Sequence, residues 1–209
     1  MNVLTGLRMV QTLNFDGHCV AYMERRAKLM ATKEKTLADA FHETLKDVYF
    51  AEKAALKALK KSAKAAAAPE LKTAFEVHAT ETVQQIERLT QVFAIISKPA
   101  RAKTCKAMQG ITAEMDEDLE DFGGTEAADA VLIGCAQAVE HYEIARYGML
   151  KAWAQKLGLT EAATLFGQTL EEEKRTDTLL SKIAAQDGKP AAKRTPPKKT
   201  PAQTDLADV

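Results

Sequence analysis

Apolar residues at steps of three and four along four long segments are the feature that most limits what this chain can fold into. The middle of the chain is rich in Ala, Leu, Glu, Lys and Gln, which favour helices. Helix breakers divide it at Pro69, at residues 97–101, at the Gly123-Gly124 pair and at Gly158. The predicted helices, four long and one short, are 36–66, 70–96, 103–120, 126–156 and 160–186.

This helical pattern predicts the fold class. Runs of alternating β-branched residues are nearly absent, which argues against a sheet. A helix of about 27 residues is roughly 40 Å long, and rods of that length build four-helix bundles. We therefore predict an all-α four-helix bundle, formed by residues 34–186, with one additional short helix.

The two ends of the chain differ from this helical middle. Residues 1–33 show no sustained period, and we predict a poorly ordered N-terminal extension there. Residues 187–209 hold four of the six prolines and several lysines, so they are predicted to be a disordered basic tail. Weak contact of this tail with nucleic acid or lipid is an alternative, but a solvated, solubilising segment is the usual role of such a charge run.

Composition excludes several classes of protein. The 29 basic and 29 acidic residues cancel, so no overall field attracts nucleic acid or an anionic membrane. Three widely spaced cysteines fit neither a disulfide framework nor a zinc cluster. No apolar run is long enough to span a membrane, and Asp16, His18 and Glu24 interrupt the region where a signal peptide would be apolar. We expect a cytoplasmic protein without a membrane partner or a specific nucleic-acid partner.

A carboxylate interrupts the apolar stripe near the middle of each long helix. The first and third long helices carry Glu52 and Glu143 there, and the fourth carries Glu172. The second carries His78 and Glu81, which lie on one face because they are three positions apart. One such residue would indicate little, but a carboxylate at the same place on each of four long helices indicates a shared site.

An internal repeat relates these acids. The acids of the first two long helices are 29 positions apart, as are those of the last two, and the two pairs are offset by 91. Duplication of a helical hairpin explains this spacing, and two hairpins packed about a pseudo-twofold axis bring all four acids to one height. Apolar residues matched at the same offset include Val48 and Val139, Phe75 and Phe166, and Leu89 and Leu180.

Four carboxylates in a dry core repel one another unless a cation neutralises them. Oxygen ligands with an imidazole suit iron or manganese, and inward glutamates with a paired Glu and His build dimetal sites in helical bundles. We therefore predict two Fe or Mn ions. The alternative is that the acids lie at the stripe edges and pair with Lys53, Lys174 or Arg175. The candidate ligands are Glu52, His78, Glu81, Glu140, Glu143 and Glu172, with Glu140 in reserve.

Other polar residues near these positions have simpler explanations. Tyr49 and Tyr147 lie one turn from the inward acids, where they either donate to carboxylates or only pack. His141 is expected at the helix flank, and Glu173 and Asp177 are expected to face solvent. No glycine-rich phosphate loop or Ser-His-Asp order is present, so nucleotide binding and hydrolysis have no support.

Three motifs of this chain are unusual together. They are the runs H-x-x-E-T-x-x-Q-x-x-R-L-x-Q-V-F from His78, C-x-A-M-x-G-I from Cys105, and AVEHYEIARYGML over residues 138–150. With these motifs the chain resembles the YciF and YciE group of bacterial stress-induced ferritin-like proteins. The likeness covers about residues 34–185. It implies a dimeric bundle of the rubrerythrin and ferritin-like kind, linked to stress responses but without an established reaction.

The chain also departs from the usual ferritin-like pattern. Di-iron proteins of that kind carry Glu-x-x-His on the second and fourth helices, whereas this chain has His78-x-x-Glu81 on the second and no histidine in 160–186. One metal position would then be weak, all-carboxylate or empty.

Two functions remain in competition. The first is a stress-response protein with a dimetal site that handles iron or reduces O2 or peroxide, with Glu81 and Glu172 bridging the ions. The second is a metal-free dimeric scaffold that binds a protein partner.

Overall fold

The protein is described here by a computed structural model, which covers Tyr22 and residues 34–187. No strand occurs in this part of the chain. Its five helices are α1 (Leu37–Ala65), α2 (Pro69–Ile95), α3 (Lys106–Phe122), α4 (Ala128–Lys156) and α5 (Thr160–Asp187).

The predicted helices are confirmed, with small shifts at their ends. The largest shift is at α3, which begins at Lys106 because Cys105 is extended and its Sγ accepts a hydrogen bond from the backbone N–H of Met108. A thiol acts here as the helix cap, a role for which Ser, Thr, Asp and Asn are preferred. The predictions for 1–33 and 187–209 fall almost entirely outside the described residues and stay predictions.

The chain divides into two compact units, residues 1–40 and 41–209. In the described part of the first unit, Thr36 and Asp39 cap the start of α1. The backbone N–H of Thr36 donates to Asp39 Oδ2 at 2.9 Å, and the backbone N–H of Asp39 donates to Thr36 Oγ1 at 3.2 Å. This reciprocal arrangement satisfies two N–H groups that the helix cannot bond itself.

In the second unit, the long helices bury two large apolar clusters. The first apolar cluster joins the early part of α1, the end of α2, the end of α4 and the start of α5. The second joins the opposite ends of the same helices. Large members of the first are Phe41, Leu45, Leu89, Phe93, Leu150 and Phe166. Large members of the second are Leu59, Leu71, Phe75, Leu132, Leu180 and Ile183.

The membership of the two clusters fixes the topology. Helices α1 and α2 are antiparallel, as are α4 and α5, because each pair contributes opposite ends to each cluster. The end of α2 and the start of α4 belong to different clusters, so residues 96–127 cross the length of the bundle. One long crossover between two hairpins is the ferritin-like arrangement, which confirms the predicted fold class.

Helix α3 lies within this crossover and packs against α1 and α4. Cys105 and Met108 pack with Ala51, Ala55 and Val139. Further along α3, Lys61 Nζ and Asp116 Oδ1 are 2.7 Å apart. None of the helices in the described residues carries an apolar stretch sufficient to cross a membrane.

Asp129, in the first turn of α4, holds the turn between α1 and α2. Its two carboxylate oxygens accept the backbone N–H groups of Ala67 and Ala68, each at 2.8 Å. Ala68 is the residue before α2 and offers no side-chain cap. The carboxylate of one hairpin therefore caps the other.

We expect Asp129→Ala to destabilise the protein by about 1–2 kcal/mol, because two backbone donors lose a charged acceptor. Urea denaturation followed by circular dichroism measures this change. Glu126→Ala, an exposed acid just before α4, is the control and should change stability by less than about 0.5 kcal/mol. Equal stability of the two variants would show that the double hydrogen bond does not hold the turn.

Candidate metal centre

A layer of buried polar side chains lies between the two apolar clusters. Its charged members are at most 2% exposed. They come from all four long helices: Glu52 from α1, His78 from α2, Glu140 and Glu143 from α4, and Glu173 from α5. The neutral polar members are Thr82, Gln85, Thr169 and Thr176.

Four of these residues bring their ligand atoms together. One nitrogen of His78 and one carboxylate oxygen from each of Glu140, Glu143 and Glu173 lie within 4.8 Å of one another. We call these four residues the central cluster. The Nε2 atom of His78 is 3.1 Å from Glu140 Oε1 and 3.3 Å from Glu173 Oε2.

Several carboxylate oxygens in this layer accept no aligned hydrogen bond from any described residue. An unpaired buried oxygen loses the solvation of water without compensation, so such groups are rare in folded proteins. Five occur here within one site. They are Glu52 Oε2, both oxygens of Glu140, Glu143 Oε1 and Glu173 Oε2.

The neighbouring oxygens do have partners. Tyr147 Oη donates a hydrogen bond to Glu52 Oε1. Gln85 Nε2 donates to Glu173 Oε1 at 2.5 Å. One oxygen of Glu52 and one oxygen of Glu173 are therefore fixed by a hydrogen bond, and the other oxygen of each carboxylate has no donor.

Burial dominates the ionisation of these acids. It raises the pKa of Glu52 to about 7, although the hydrogen bond from Tyr147 and the charge of His78 oppose the shift. Burial likewise raises the pKa of Glu143 well above its usual value, and the charges of Glu52, Glu173 and Glu140 raise it further. The pKa of Glu173 is raised by burial too, against the effect of His78.

The pKa of His78 is raised, which favours a positive charge on the ring beside the buried carboxylates. Burial alone would lower this pKa, but the close contacts with the carboxylates of Glu140 and Glu81 and the charges of Glu140 and Glu173 outweigh burial. The result is a pKa well above the usual histidine value. Without a metal, the layer therefore keeps protons on groups that ordinarily lack them at neutral pH.

Three predicted ligands lie outside the central cluster: Glu52 belongs to the buried layer around it, whereas Glu81 and Glu172 lie at the edge of that layer. Glu81, whose side chain is 24% exposed, places Oε1 2.6 Å from Arg175 Nη2. Glu172 accepts two hydrogen bonds from the guanidinium of Arg88, from Nη2 to Oε1 at 2.6 Å and from Nη1 to Oε2 at 2.8 Å. The structure thus brings Glu52, His78, Glu140 and Glu143 together but gives Glu81 and Glu172 arginine partners at the boundary between α2 and α5.

The prediction that Glu173 faces solvent was wrong, because its side chain is completely buried. The inward acid of α5 is the residue after Glu172, whose own side chain lies at the edge of the buried stripe. A signal was present in the sequence, since Phe166 and Leu180, matched to Phe75 and Leu89 in the repeat, lie seven positions on either side of Glu173. Residues seven apart share a helix face.

The remaining predictions concern residues around the cluster. Tyr147 is buried and donates to Glu52, whereas Tyr49 packs edge-on against Phe93 with ring centroids 5.5 Å apart. His141 is 69% exposed and lies 3.3 Å from Asp177, at the helix flank as predicted.

The repeat recurs in the burial pattern. At the offset of 91, Glu52 matches Glu143 and His78 matches Thr169, and all four side chains are buried. The buried pairs Thr82 with Glu173 and Gln85 with Thr176 follow the same offset. The two hairpins therefore present equivalent inward positions, but the second has a threonine in place of the histidine and an acid in place of a threonine.

A family profile described as "Domain of unknown function (DUF892)" matches residues 36–193. Protein YciF of Escherichia coli K12 is 47% identical over 152 residues, which are 72% of this chain and 91% of that protein. The chain belongs to this family. The matched region contains every residue of the central cluster.

Solved structures agree with this assignment. The E. coli stress protein YciF has a TM-score of 0.70 at 44% identity, with 73% of this chain and 97% of that chain covered. YcfI of Rhodopseudomonas palustris, described as a candidate structural protein, has a TM-score of 0.69 at 38% identity, with 72% and 96% covered. A protein of Xanthomonas campestris shares the fold, with a TM-score of 0.58 at 24% identity, 72% of this chain and 91% of that one.

The raised pKa of Glu52 makes the metal-free protein less stable as pH rises. Its carboxyl is protonated more readily in the folded chain than in the unfolded chain. Its contribution to the free energy of unfolding is therefore fully present below the unfolded pKa of 4.5 and is lost as the pH rises through about 7. We expect Glu52→Gln to remove this loss, on the order of 3 kcal/mol between about pH 5 and pH 8.

Urea denaturation with a chelator present measures this difference. Glu76→Gln, an exposed acid on α2, is the matched control. If the free energy of unfolding of Glu52→Gln falls with pH as steeply as that of the control, Glu52 is not protonated in the folded protein.

Proposed function

We propose that this member of the stress-protein family uses the buried polar layer to bind iron or manganese. The observation that carries the proposal is the set of five carboxylate oxygens without hydrogen-bond donors in the layer between the two apolar clusters, where Glu140, Glu143 and Glu173 each place one oxygen within 4.8 Å of a His78 nitrogen. A structural acid pairs with arginine or lysine, as Glu81 and Glu172 do. The acids of the central cluster have no such partner among the described residues.

The donor set fits these metals. Carboxylate oxygens with one imidazole suit Fe(II) and Mn(II), whereas copper and zinc sites favour more nitrogen or sulfur. Two divalent cations also match the four negative charges of Glu52, Glu140, Glu143 and Glu173 when His78 is neutral. His78, Glu140, Glu143 and Glu173 would hold one ion. Glu52, with its unpaired oxygen, would help to hold a second beside Glu143.

The protein's own groups prepare the layer for such chemistry. The apolar clusters on both sides exclude water, which strengthens every charge interaction inside. Tyr147 holds Glu52 through one oxygen, and Gln85 holds Glu173 in the same way, so the other oxygens stay aimed into the layer. Bound iron or manganese would supply one-electron chemistry there, and we propose storage of iron or reduction of O2 or peroxide as its use.

A metal-free scaffold is the second candidate, and exposed apolar side chains favour it. Val77 and Val83 on α2 and Leu179 on α5 are each more than two-fifths exposed. Such surface suits self-association or a protein partner, and the proposed homodimer would use it. A scaffold does not explain why the acids of the layer remain unpaired.

Metal loading tests the main proposal. We expect wild-type protein incubated anaerobically with Fe(II) or Mn(II) and then desalted to retain about two ions per chain by elemental mass spectrometry. Combining Glu140→Ala with Glu143→Ala should reduce retention at least tenfold, because the removed oxygens have no substitute. Glu171→Ala, an exposed acid on α5, should retain as much as wild type.

The outcomes separate the two candidates. Full retention by the double variant would place the metal elsewhere, and no retention by the wild type would leave the scaffold. If metal is retained, consumption of O2 or peroxide beyond the amount that oxidises the bound Fe(II), sustained by an added reductant, distinguishes a redox enzyme from a store.

Metal affinity should also depend on pH. The raised pKa values of Glu52, Glu143 and His78 mean that protons compete with the metal at neutral pH. We therefore expect tighter binding as pH rises from about 6 to about 8, with protons released on loading. Calorimetry in buffers of different ionisation enthalpy measures this release. An apparent enthalpy independent of the buffer would contradict it.

A further inference from the structure

The two nitrogens of His78 face different surroundings. Nε2 faces the central cluster, where Glu140 and Glu173 present oxygens. Nδ1 faces the boundary between α2 and α5, where Glu81 Oε2 lies at 3.4 Å and Thr176 Oγ1 at 3.2 Å. The imidazole ring therefore separates Glu81 from the cluster.

Glu81 is fixed from the other side by Arg175. The guanidinium donates to Glu81 Oε1 at 2.6 Å, which leaves Oε2 for the histidine. Glu81 lies three positions after His78, so one helix holds both side chains in register. The ion pair with Arg175 favours the ionised carboxylate form of Glu81.

We propose that Glu81, held by Arg175, is a positioning residue that keeps the remaining proton of His78 on Nδ1, so that Nε2 is the metal ligand. This inference rests on the proposed metal-binding function. It assigns Glu81 a place outside the ligand set, where the sequence had predicted a bridging ligand.

The chemistry of the neighbours supports this role. When Nε2 binds a metal, the neutral ring keeps one proton, on Nδ1. A carboxylate can only accept that proton's hydrogen bond, whereas the hydroxyl of Thr176 either donates or accepts and so cannot select the tautomer. Carboxylates that accept from a metal-bound histidine orient the ring and raise its basicity, and their loss typically costs 10- to 100-fold in metal affinity.

Substitution of Glu81 separates a positioning role from a ligand role. Glu81→Gln keeps an amide oxygen that can accept the hydrogen bond from Nδ1–H, but an amide is a poor metal ligand. Glu81→Ala has no group that could accept this hydrogen bond or bind a metal. We expect Glu81→Ala to weaken binding of Mn(II) about 10- to 100-fold and Glu81→Gln to weaken it less than about fivefold. Arg175→Gln should fall between wild type and Glu81→Ala, because it loosens Glu81 without removing it.

A spectroscopic measurement reports on the tautomer itself. In protein loaded with diamagnetic Zn(II), nitrogen chemical shifts of the His78 ring should show a protonated Nδ1 and a metal-bound Nε2 in wild type and Glu81→Gln. In Glu81→Ala we expect a mixture of His78 rings, some with the proton on Nδ1 and some with the proton on Nε2. Glu87→Gln and Lys174→Gln, exposed neighbours on α2 and α5, are the matched controls and should leave affinity and tautomer unchanged.

The results distinguish this inference from the function on which it rests. If wild type binds neither metal, the proposed function fails. If wild type binds but Glu81→Gln loses as much affinity as Glu81→Ala, Glu81 is itself a ligand and the positioning role is overturned. An unchanged His78 tautomer in a folded Glu81→Ala variant, verified by circular dichroism, overturns it as well.

Discussion

The burial of four carboxylates around one histidine is the constraint on which the rest of this structure depends. Removing such charges from water costs several kcal/mol for each ion unless charge and hydrogen bonds compensate. Here burial raises the pKa values of Glu52, Glu143 and Glu173, while His78 keeps its proton. The bundle therefore holds a layer that is costly without a cation and suited to one.

The surrounding fold keeps this layer in place. The polar layer lies between the two apolar clusters. The crossover that contains α3 joins the two hairpins, and each of the four long helices contributes a polar residue to the layer. Outside the layer, Arg88 and Arg175 neutralise Glu172 and Glu81. The same type of side chain is thus paired with arginine at the boundary and left unpaired at the centre, and this contrast distinguishes structural acids from candidate ligands.

Sequence alone predicted the helices and the fold class, because long periodic segments with strong breakers leave few alternatives. It also predicted burial of Glu52, His78 and Glu143, whose stripes are unambiguous. It failed on α5, where adjacent glutamates made the inward position ambiguous by one residue and Glu173 was assigned to solvent. The alternative that an acid at the stripe edge pairs with Arg175 holds for Glu81. The partner of Glu172 is Arg88 on the facing helix, and no pattern within one helix reveals that pair.

The most direct test of the central claim is anomalous X-ray diffraction from crystals loaded anaerobically with Fe(II), recorded on both sides of the iron absorption edge. We expect anomalous density among His78, Glu140, Glu143 and Glu173, with Nε2 of His78 as a ligand. Iron bound only at Glu81, Glu172 or the protein surface, or no iron at all in the layer, would contradict it.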